Sequence, residues 1–278
     1  MITSKDILRK ELSGSISSQE FIEDLIERWH DHSRDNHLWA EIERFNDQYG
    51  KILDMACGVG TFFFHGLEKG YDVYAIEPGE WQHEYMSLKY KECGFEGSIG
   101  NRVVKGVGES LPYNNETFDY IQTYQTLEHV QDVEKCISEL IRVLKDNGKL
   151  RIFAPDYDSF FEPHYSLPFL PKMNKKLAAF YVSLLGKPTD RLNGLTWITS
   201  KSIIQILQKH NNLQITDLSR LYKDRFIEKT LNSFPSLFQN NFIIKKFVSY
   251  YVNWKYYRKV YTFREEKHIN IVVKKINK

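Results

Sequence analysis

The chain has 278 residues, of which 42% are hydrophobic and 27% are charged, and its formal net charge is +2. This composition is ordinary for a soluble globular protein, and the length suits one large domain or a domain with an elaborated insert. Residues 1–18 contain no apolar signal segment and no apolar run is long enough to span a bilayer, so a secretory leader and a transmembrane helix are not expected. The three cysteines, Cys57, Cys93 and Cys136, lack metal-ligand spacing and indicate reduced thiols in a cytoplasmic protein.

The charge is unevenly distributed along the chain. Residues 221–278 carry 13 Lys/Arg and 4 Asp/Glu, whereas the rest of the chain carries 25 and 32. A basic region on an acidic body suggests an anionic partner or surface.

The first half of the chain alternates between strand and helix patterns. Apolar residues at helical spacing predict a helix over 18–47. The elements predicted after it are a strand at 51–55, a helix at 60–69, a strand at 71–76, a helix at 80–92, strands at 101–105 and 118–123, a helix at 132–144 that Asn147-Gly148 ends, and a strand at 149–154. Strands separated by helices of this length imply right-handed crossovers and a parallel sheet.

The alternation stops after Pro155. Residues 156–196 are rich in proline and aromatic residues and predict an insert with one helix near 172–185. The elements predicted beyond it are a helix at 200–210, a strand at 213–218, a second insert at 222–263 that is dense in aromatic and cationic residues, and a final strand at 268–275.

The most informative segment is KILDMACGVGT at 51–61, together with the acid that closes the next strand, Glu77. Small residues let the backbone approach a ligand closely, and an acid at the end of the following strand can bind ribose hydroxyls. The pattern therefore favours a nucleoside cofactor over an ordinary strand-to-helix turn. A dehydrogenase turn requires G-x-G-x-x-G, and Phe63 stands where the third glycine is needed, which argues against NAD.

Over 51–156 the chain resembles class I S-adenosylmethionine-dependent methyltransferases. ILDMACGVGTF resembles the D-x-G-x-G-x-G motif, with Ala56 in place of the first glycine, and AIEP resembles the second motif. GVGESLPYNNETFDYIQTYQTLEHV resembles the adenine-side motif and the fourth strand. ELIRVLKDNGKLRIFAPD resembles the R-V-L-K-P-G-G-x-L segment, with Asp146-Asn147 replacing Pro-Gly.

The resemblance implies a Rossmann-like, doubly wound α/β fold. Its sheet is expected to be mainly parallel and seven-stranded, with a helical N-terminal extension and inserts after the fifth and sixth strands. We expect a single domain over 1–278, composed of a helical extension or lid at 1–49, a cofactor-binding core at 50–156, an acceptor-site insert at 157–199, and the last strands with a basic aromatic insert at 200–278.

The resemblance also assigns the cofactor, S-adenosyl-L-methionine, to particular residues. Asp54 is expected to bind its amino-acid moiety directly or through water, and Glu77 the ribose hydroxyls. Glu109 or a backbone group is expected to face the exocyclic amine of the adenine. The cofactor-binding candidates are Asp54, Ala56, Gly58, Gly60, Glu77, Pro78, Glu109, Ser110, Leu111, Gln125 and Thr126.

Three residues are candidates for catalysis: His129, Asp156 and His164. A hydroxyl or cationic amine acceptor must lose a proton, and His129 and Asp156 follow adjacent strand ends, so His129 is a candidate base that Asp156 orients. His164 lies in the insert expected to cover the acceptor. In the alternative interpretation these histidines only pack or cap their loops. The spacing of His30, His32 and His37 does not suit a metal site, and no metal is predicted.

The string FEPHYSLPFLPKMNKK at 161–176, followed by LNGLTWITSKSI at 192–203, resembles methyltransferases associated with bacterial surface polysaccharides, which favours a sugar or sugar-linked acceptor. Tyr157, Tyr165 and Trp197 are candidates for stacking on sugar rings, although core packing is an equally good interpretation.

The segment 241–263 predicts an amphipathic helix that packs on the sheet. Its predicted apolar face consists of Ile243, Ile244, Phe247, Val248 and Tyr251. Its cations are Lys245, Lys246, Lys255, Arg258 and Lys259. A peripheral contact with the anionic inner face of a membrane is an alternative, and nucleic-acid binding is less favoured because no RNA-binding motif is present.

The sequence therefore predicts methyl transfer to a small-molecule or glycan acceptor, with oxygen of a sugar favoured. The alternatives are an N-methyltransferase, a lipid or quinone methyltransferase, and a non-catalytic cofactor-binding scaffold in a glycan-assembly complex. The sequence leaves the oligomeric state open.

Overall fold

The computed structural model describes residues 2–14, 19–35, 38, 39, 42, 50–232, 241–261 and 268–277. The strands in these ranges are β1 (Ile52–Met55), β2 (Val73–Glu77), β3 (Val103–Lys105), β4 (Phe118–Tyr124), β5 (Leu144–Pro155), β6 (Phe161–Glu162), β7 (Leu167–Pro168), β8 (Leu213–Asp217) and β9 (His268–Lys275). Seven form one sheet in the order β3-β2-β1-β4-β5-β9-β8, and β6 pairs antiparallel with β7. The predicted seven-stranded, mainly parallel sheet is confirmed.

The strand order reverses at β1. This strand pairs in parallel with β2 on one side and β4 on the other, so that Asp54 lies opposite both Ala75 and Gln122. The strand is buried along its whole length, as expected in a parallel sheet that helices cover on both faces. In open α/β sheets, ligands bind in the crevice at the carboxyl ends of strands where the order reverses.

The helices in the described ranges agree with most of the predicted boundaries to within a few residues. They are α1 (Ser4–Ser13), α2 (Gln19–His30), α3 (Thr61–Glu68), α4 (Glu80–Glu92), α5 (Val133–Val143), α6 (Lys175–Leu184), α7 (Asp190–Asn193), α8 (Ser200–Leu207), α9 (Leu218–Asn232) and α10 (Phe242–Tyr261). Helix α4 agrees at both ends. It stops just before Gly94, whose φ of 73° is the left-handed conformation that commonly ends helices.

The N-terminal region differs from the prediction. The continuous helix predicted over 18–47 is wrong, because α2 ends at His30 and a 3₁₀ turn follows at His32–Asp35. The Asp31 carboxylate accepts hydrogen bonds from the backbone N–H and hydroxyl of Ser33, a local turn that competes with the helix. Residues 36, 37, 40, 41 and 43–49, including His37, lie outside the described residues.

Two further boundaries were not predicted. Helix α1 begins with a capping box in which the side chains of Thr3 and Asp6 bond each other's backbone N–H groups. Strand β5 begins at Leu144, directly after α5, whereas the sequence predicts the break at Asn147-Gly148. The helix itself ends at Val143, one residue before its predicted end, and the N–H groups of residues 116 and 117 donate to the carbonyls of Arg142 and Val143.

The chain folds into two compact units, each assembled from segments that are distant in sequence. Unit 1 comprises Met1–Tyr124, Asp132–Arg151 and Lys274–Lys278, and unit 2 comprises Gln125–Gln131 and Ile152–Val273. The chain therefore enters unit 2 twice and returns to unit 1 each time. A single domain over 1–278 stays a prediction.

Unit 1 has an aromatic core on α3. The Trp39 ring stacks on Phe62 and on Tyr71, with ring centroids 4.5 Å apart in each pair, and its Nε1–H donates to the Phe62 carbonyl at 3.2 Å. Trp39 is therefore a core residue.

The buried Lys89 donates to the His30 carbonyl at 2.8 Å, so its charge is hydrogen-bonded inside the unit.

Unit 2 contains a separate core between the β6–β7 hairpin, α6 and α7. Its buried residues are Tyr165, Phe169, Ala178, Val182, Leu192 and Leu195. The Tyr157 and Trp197 rings stack with centroids 4.4 Å apart, and the Tyr165 hydroxyl donates to the Pro188 carbonyl. These contacts favour the core interpretation of the three aromatic residues.

Helix α10 buries a narrower face than the sequence predicts. Of the predicted apolar face, Val248 is buried and Ile244 half-buried, but Ile243 and Phe247 are 75% and 68% exposed. The prediction that this whole face packs is therefore wrong. None of the helices in the described ranges combines the length and apolar composition that a bilayer-crossing segment requires.

Candidate functional site

The turn that follows β1 in unit 1 adopts an alternating left-handed backbone. Ala56, Gly58 and Gly60 have φ values of 56°, 56° and 70°. A Cβ on Gly60 would lie 2.9 Å from the Met86 sulfur, so only glycine fits there without displacement. A Cβ on Gly58 would meet nothing within 4 Å, so this side of the turn is open to a ligand.

The carboxylate of Glu77, at the end of β2, bridges two backbone segments. Its Oε2 accepts the N–H of Gly58 at 2.9 Å, and its Oε1 accepts the N–H of Gly79 at 3.0 Å. Glu77 is 6% exposed and sits beside the open side of the turn. A carboxylate oxygen has two acceptor sites, so each oxygen can accept one further hydrogen bond, as the vicinal hydroxyls of a ribose require.

The loop at 107–111 is fastened to α5. The Glu109 carboxylate accepts the Asp132 N–H at 3.3 Å, and the Glu139 carboxylate accepts the Leu111 N–H at 2.8 Å. The Arg142 guanidinium donates to the Leu111 carbonyl and, by hydrogen bonding, lowers the pKa of Glu139. The predicted adenine-side residues therefore lie in a fixed loop, in which Glu109 also binds the start of a helix.

Two further cofactor-binding candidates, Pro78 and Ser110, lie next to Glu77 and in the loop at 107–111, respectively. Pro78 is exposed and directly follows the buried Glu77. The Ser110 N–H donates to the Val107 carbonyl at 3.2 Å, and a Cβ on Gly108 would lie 2.6 Å from the Cys136 sulfur. The loop therefore packs too closely on α5 for a side chain at Gly108.

The loop after β4 belongs to unit 2 and is held by backbone hydrogen bonds. Gln125, with a left-handed φ of 52°, is exposed and donates its N–H to the Phe153 carbonyl at 2.7 Å. The His129 N–H donates to the carbonyl of the buried Thr126 at 2.8 Å, and the Glu128 carbonyl accepts the Thr196 N–H at 2.6 Å. These bonds fix the backbone of Glu128 and His129, and with it the starting points of their side chains.

His129 and His164 are brought together in unit 2, although they are 35 positions apart. Their Nε2 atoms are 3.3 Å apart, and the rings meet edge to face. The His164 Nδ1 lies 2.6 Å from Oε1 of the fully buried Glu162, and His129 Nε2 lies 3.9 Å from Oε1 of the fully buried Glu128. The arrangement is a chain of two imidazoles with a carboxylate at its far end.

Residues 53–152 match the family described as a methyltransferase domain. This match covers 100 of the chain's 278 residues and supports a SAM-dependent methyltransferase. Norajmaline N-methyltransferase of Rauvolfia serpentina is 30% identical over 158 residues, which cover 55% of this chain and 52% of that protein. Demethylmenaquinone methyltransferase of Renibacterium salmoninarum is 24% identical over 189 residues, which cover 64% of this chain and 76% of that protein.

A solved structure shares the fold of this chain. Phosphoethanolamine N-methyltransferase 2 of Haemonchus contortus, in complex with S-adenosyl-L-methionine, superposes with a TM-score of 0.52 at 15% identity, covering 87% of this chain and 53% of that chain. This chain thus spans about half the length of that protein and of the Rauvolfia relative.

S-adenosylmethionine is the cofactor of this class of methyltransferase domain, and the residues present fit it. The open side of the turn at Gly58 leaves space for a ligand against the backbone, and the adjacent Glu77 has acceptor capacity for ribose hydroxyls. Asp54 is buried at the end of β1, where the strand order reverses.

The structure gives Asp156 a different environment from the one expected. Its carboxylate accepts the Asp158 N–H at 2.9 Å and the Ser200 hydroxyl at 2.7 Å, at the start of α8. The carboxylate hydrogen-bonded to the imidazole pair is Glu162. Orientation of His129 by Asp156 is therefore replaced by orientation through His164 and Glu162.

The sequence did not point to the two carboxylates that lie beside His129 and His164, which are those of Glu128 and Glu162. Glu162 accepts from His164 and from the Tyr165 N–H at 2.7 Å, and lies 3.3 Å from the Tyr157 hydroxyl. The Glu-x-His spacing in FFEPHY and the adjacent Glu-His in LEHV were the sequence signals for these two carboxylates.

Burial, and next the charge of His164, lower the pKa of His129, which favours a neutral imidazole.

Proposed function

We propose that the protein transfers the methyl group of S-adenosylmethionine to a hydroxyl oxygen of a small-molecule or sugar-linked acceptor. The cofactor supplies an activated sulfonium methyl, so the acceptor oxygen must be aligned and must lose its proton. The observation that carries the proposal is the hydrogen-bonded series His129, His164 and Glu162, because it offers a proton acceptor held in position by a buried carboxylate.

The hydrogen-bond partners of His164 and His129 determine which nitrogen of each ring carries the proton. A carboxylate oxygen accepts, so the His164 Nδ1–H donates to Glu162 and the His164 Nε2 keeps its lone pair. The His129 Nε2–H then donates to that lone pair, which leaves the His129 Nδ1 as a proton acceptor. His129 has a side chain that is 49% exposed, so an acceptor can reach it. In this proposal His129 takes the proton and His164 and Glu162 position it.

The proposed acceptor class is a sugar or a sugar-linked compound. The resemblance noted from the sequence at 161–176 and 192–203, to methyltransferases associated with surface polysaccharides, favours a sugar or sugar-linked hydroxyl. The Rauvolfia and Renibacterium relatives act, by their names, on an alkaloid nitrogen and on a quinone precursor, so N-methylation and quinone methylation are the competing assignments.

The test is a screen of purified full-length protein for S-adenosylhomocysteine release. Nucleotide sugars and lipid-linked glycans are assayed against amines and quinone precursors, and product NMR identifies the methylated atom. A product methylated at a sugar oxygen supports the proposal, whereas methylation at nitrogen or carbon contradicts it. Cofactor binding without release on any acceptor would favour the non-catalytic scaffold.

We also propose that α10 contacts an anionic membrane surface, where a lipid-linked acceptor would be available. Phe242, Ile243, Phe247 and Tyr250 are each at least 68% exposed, and the helix carries five Lys/Arg and no acid. Apolar residues beside cations suit an anionic interface.

Cosedimentation with vesicles tests this contact. Wild-type protein should bind phosphatidylglycerol vesicles and not neutral phosphatidylcholine vesicles. Phe247→Ser should weaken the binding by about tenfold or more, because the large apolar side chain that would enter the membrane interface is lost. Ile2→Ser removes a comparably exposed apolar residue of unit 1 and is the matched control. Equal binding by both variants, or none by wild type, would refute the contact.

A further inference from the structure

Three metal-ligating side chains converge in unit 2: Glu128, His129 and His164. One ligand atom from each lies within 4.8 Å of the other two. We propose that these three residues bind one divalent transition-metal ion. The binding itself does not depend on the proposed function, but the ion's role in activating an acceptor rests on it.

The spacing of the two imidazoles suits a shared cation. Their Nε2 atoms are 3.3 Å apart. Two nitrogen ligands that each lie about 2.0–2.1 Å from one zinc ion, at roughly 90–110° to each other, are about 2.8–3.4 Å apart. In the absence of an ion, one proton between the two Nε2 atoms accounts for the same distance. A bound ion would replace that proton.

Glu162 prepares His164 as a ligand. Its carboxylate, 2.6 Å from Nδ1, holds the proton on that nitrogen and leaves the Nε2 lone pair available. Glu162 is itself fully buried and accepts the Tyr165 N–H at 2.7 Å, so the ring is oriented before any ion arrives. Metal-binding histidines commonly have such a carboxylate on the second nitrogen.

Glu128 supplies the third ligand, and the exposure of the two histidines leaves the ion accessible, as in a catalytic metal site rather than a structural one. Glu128 is fully buried and places a carboxylate oxygen 3.9 Å from His129 Nε2, with its backbone carbonyl fixed by Thr196. The His129 and His164 side chains are 49% and 23% exposed, so an ion can enter and further coordination positions face solvent. Two imidazoles and one carboxylate favour Zn²⁺, Fe²⁺, Co²⁺ or Ni²⁺ over Mg²⁺.

A bound ion changes how an acceptor hydroxyl is activated. Coordination of the hydroxyl oxygen polarises its O–H bond, which breaks with the proton passing to water, while the electron pair stays on the oxygen. His129 then acts as a ligand and not as the proton acceptor. The ion-bound and ion-free proteins are therefore predicted to differ in transfer rate but not in cofactor affinity.

Metal binding by the untagged, full-length protein tests the proposal directly. After dialysis against EDTA and removal of the chelator, the protein is titrated with Co²⁺ by absorption spectroscopy and with Zn²⁺ by calorimetry. Wild type should bind one ion per chain. Glu162→Gln should weaken binding by about 10–100-fold, the usual loss for an outer-shell partner, and His164→Ala should weaken it more.

His210→Ala is the matched control, because His210 is a half-buried histidine of unit 2 outside the cluster. It should bind like wild type. His129→Ala supplies a second ligand variant that is less prone to unfolding, because its side chain is half exposed, and circular dichroism checks each variant. The proposal is overturned if wild type binds no ion, or if the ligand variants bind as well as His210→Ala.

The two proposals can fail separately. Methyl transfer that persists in chelated protein, together with no ion binding, removes the metal site and leaves the proposed function intact. Stoichiometric ion binding without transfer to any hydroxyl acceptor removes the proposed function and leaves the metal site.

Discussion

The turn of unit 1 and the histidine cluster of unit 2 both depend on a buried glutamate, but the two glutamates hold different kinds of partner. Glu77 accepts two backbone N–H groups, so it fixes the path of the chain around a ligand. Glu162 accepts an imidazole N–H and one backbone N–H, so it fixes a side chain that can exchange a proton or bind a metal. One glutamate shapes a binding surface, and the other sets the chemistry of a neighbour. Cofactor affinity should therefore respond to substitution of Glu77, whereas stability and metal binding should respond to substitution of Glu162.

The largest expected effect is on turnover, from His129→Ala. Removing a positioned proton acceptor, or a ligand of the proposed ion, should lower kcat by about 10²–10⁴-fold. Cofactor affinity, measured by calorimetry, should stay unchanged because the turn and Glu77 are intact. His210→Ala should retain wild-type kcat. Full activity of His129→Ala with the true acceptor would remove this residue from the mechanism.

The next effect is on stability, from Glu162→Leu. This change leaves the Tyr165 N–H and the His164 Nδ1–H without their acceptor, and each stranded buried donor costs about 1–3 kcal/mol. The midpoint of urea unfolding should fall accordingly. Glu162→Gln keeps one acceptor oxygen and should lose less. Equal midpoints for the two variants would show that hydrogen bonding at Glu162 contributes little to stability.

Glu77→Ala tests the opposite side of the comparison. Losing a carboxylate that binds the turn, and that we propose binds the ribose, should weaken S-adenosylmethionine binding by about 1–3 kcal/mol. Calorimetry with the cofactor measures the loss. Glu80→Ala is the control, because Glu80 lies three positions away and pairs with Lys105 at the surface. If both variants bind the cofactor with wild-type affinity, the ribose assignment is wrong.

The turn was predictable because its determinants are local. The small residues Ala56, Cys57, Gly58 and Gly60 lie within five positions, and the parallel register of β1 and β2 brings Glu77 beside them without any knowledge of distant packing. The strands and helices flanking the turn follow from apolar periodicity and glycine positions for the same reason.

The histidine cluster was predictable only in part. Adjacent strand ends drew attention to His129 and Asp156 together, but the direction of a side chain depends on its neighbours, and Asp156 turns to Ser200, 44 positions later. Glu162 reaches His164 because a two-stranded hairpin sets their spacing, which periodicity over so few residues does not reveal. The exposed face of α10 was missed for a related reason: periodicity identifies an apolar face and not what covers it.

The smallest expected effect returns to the turn, through Ala56→Gly. Ala56 has a φ of 56°, a left-handed conformation that costs an L-residue roughly 1–2 kcal/mol, while glycine adds about 0.5–1 kcal/mol of chain entropy to folding. The net expectation is a stabilisation of about 0.5–1 kcal/mol, seen as a higher unfolding midpoint. Ala179→Gly, in the regular helix α6, should instead destabilise by about 1 kcal/mol. A loss of stability in Ala56→Gly would mean that the Ala56 methyl contributes packing that outweighs the backbone strain.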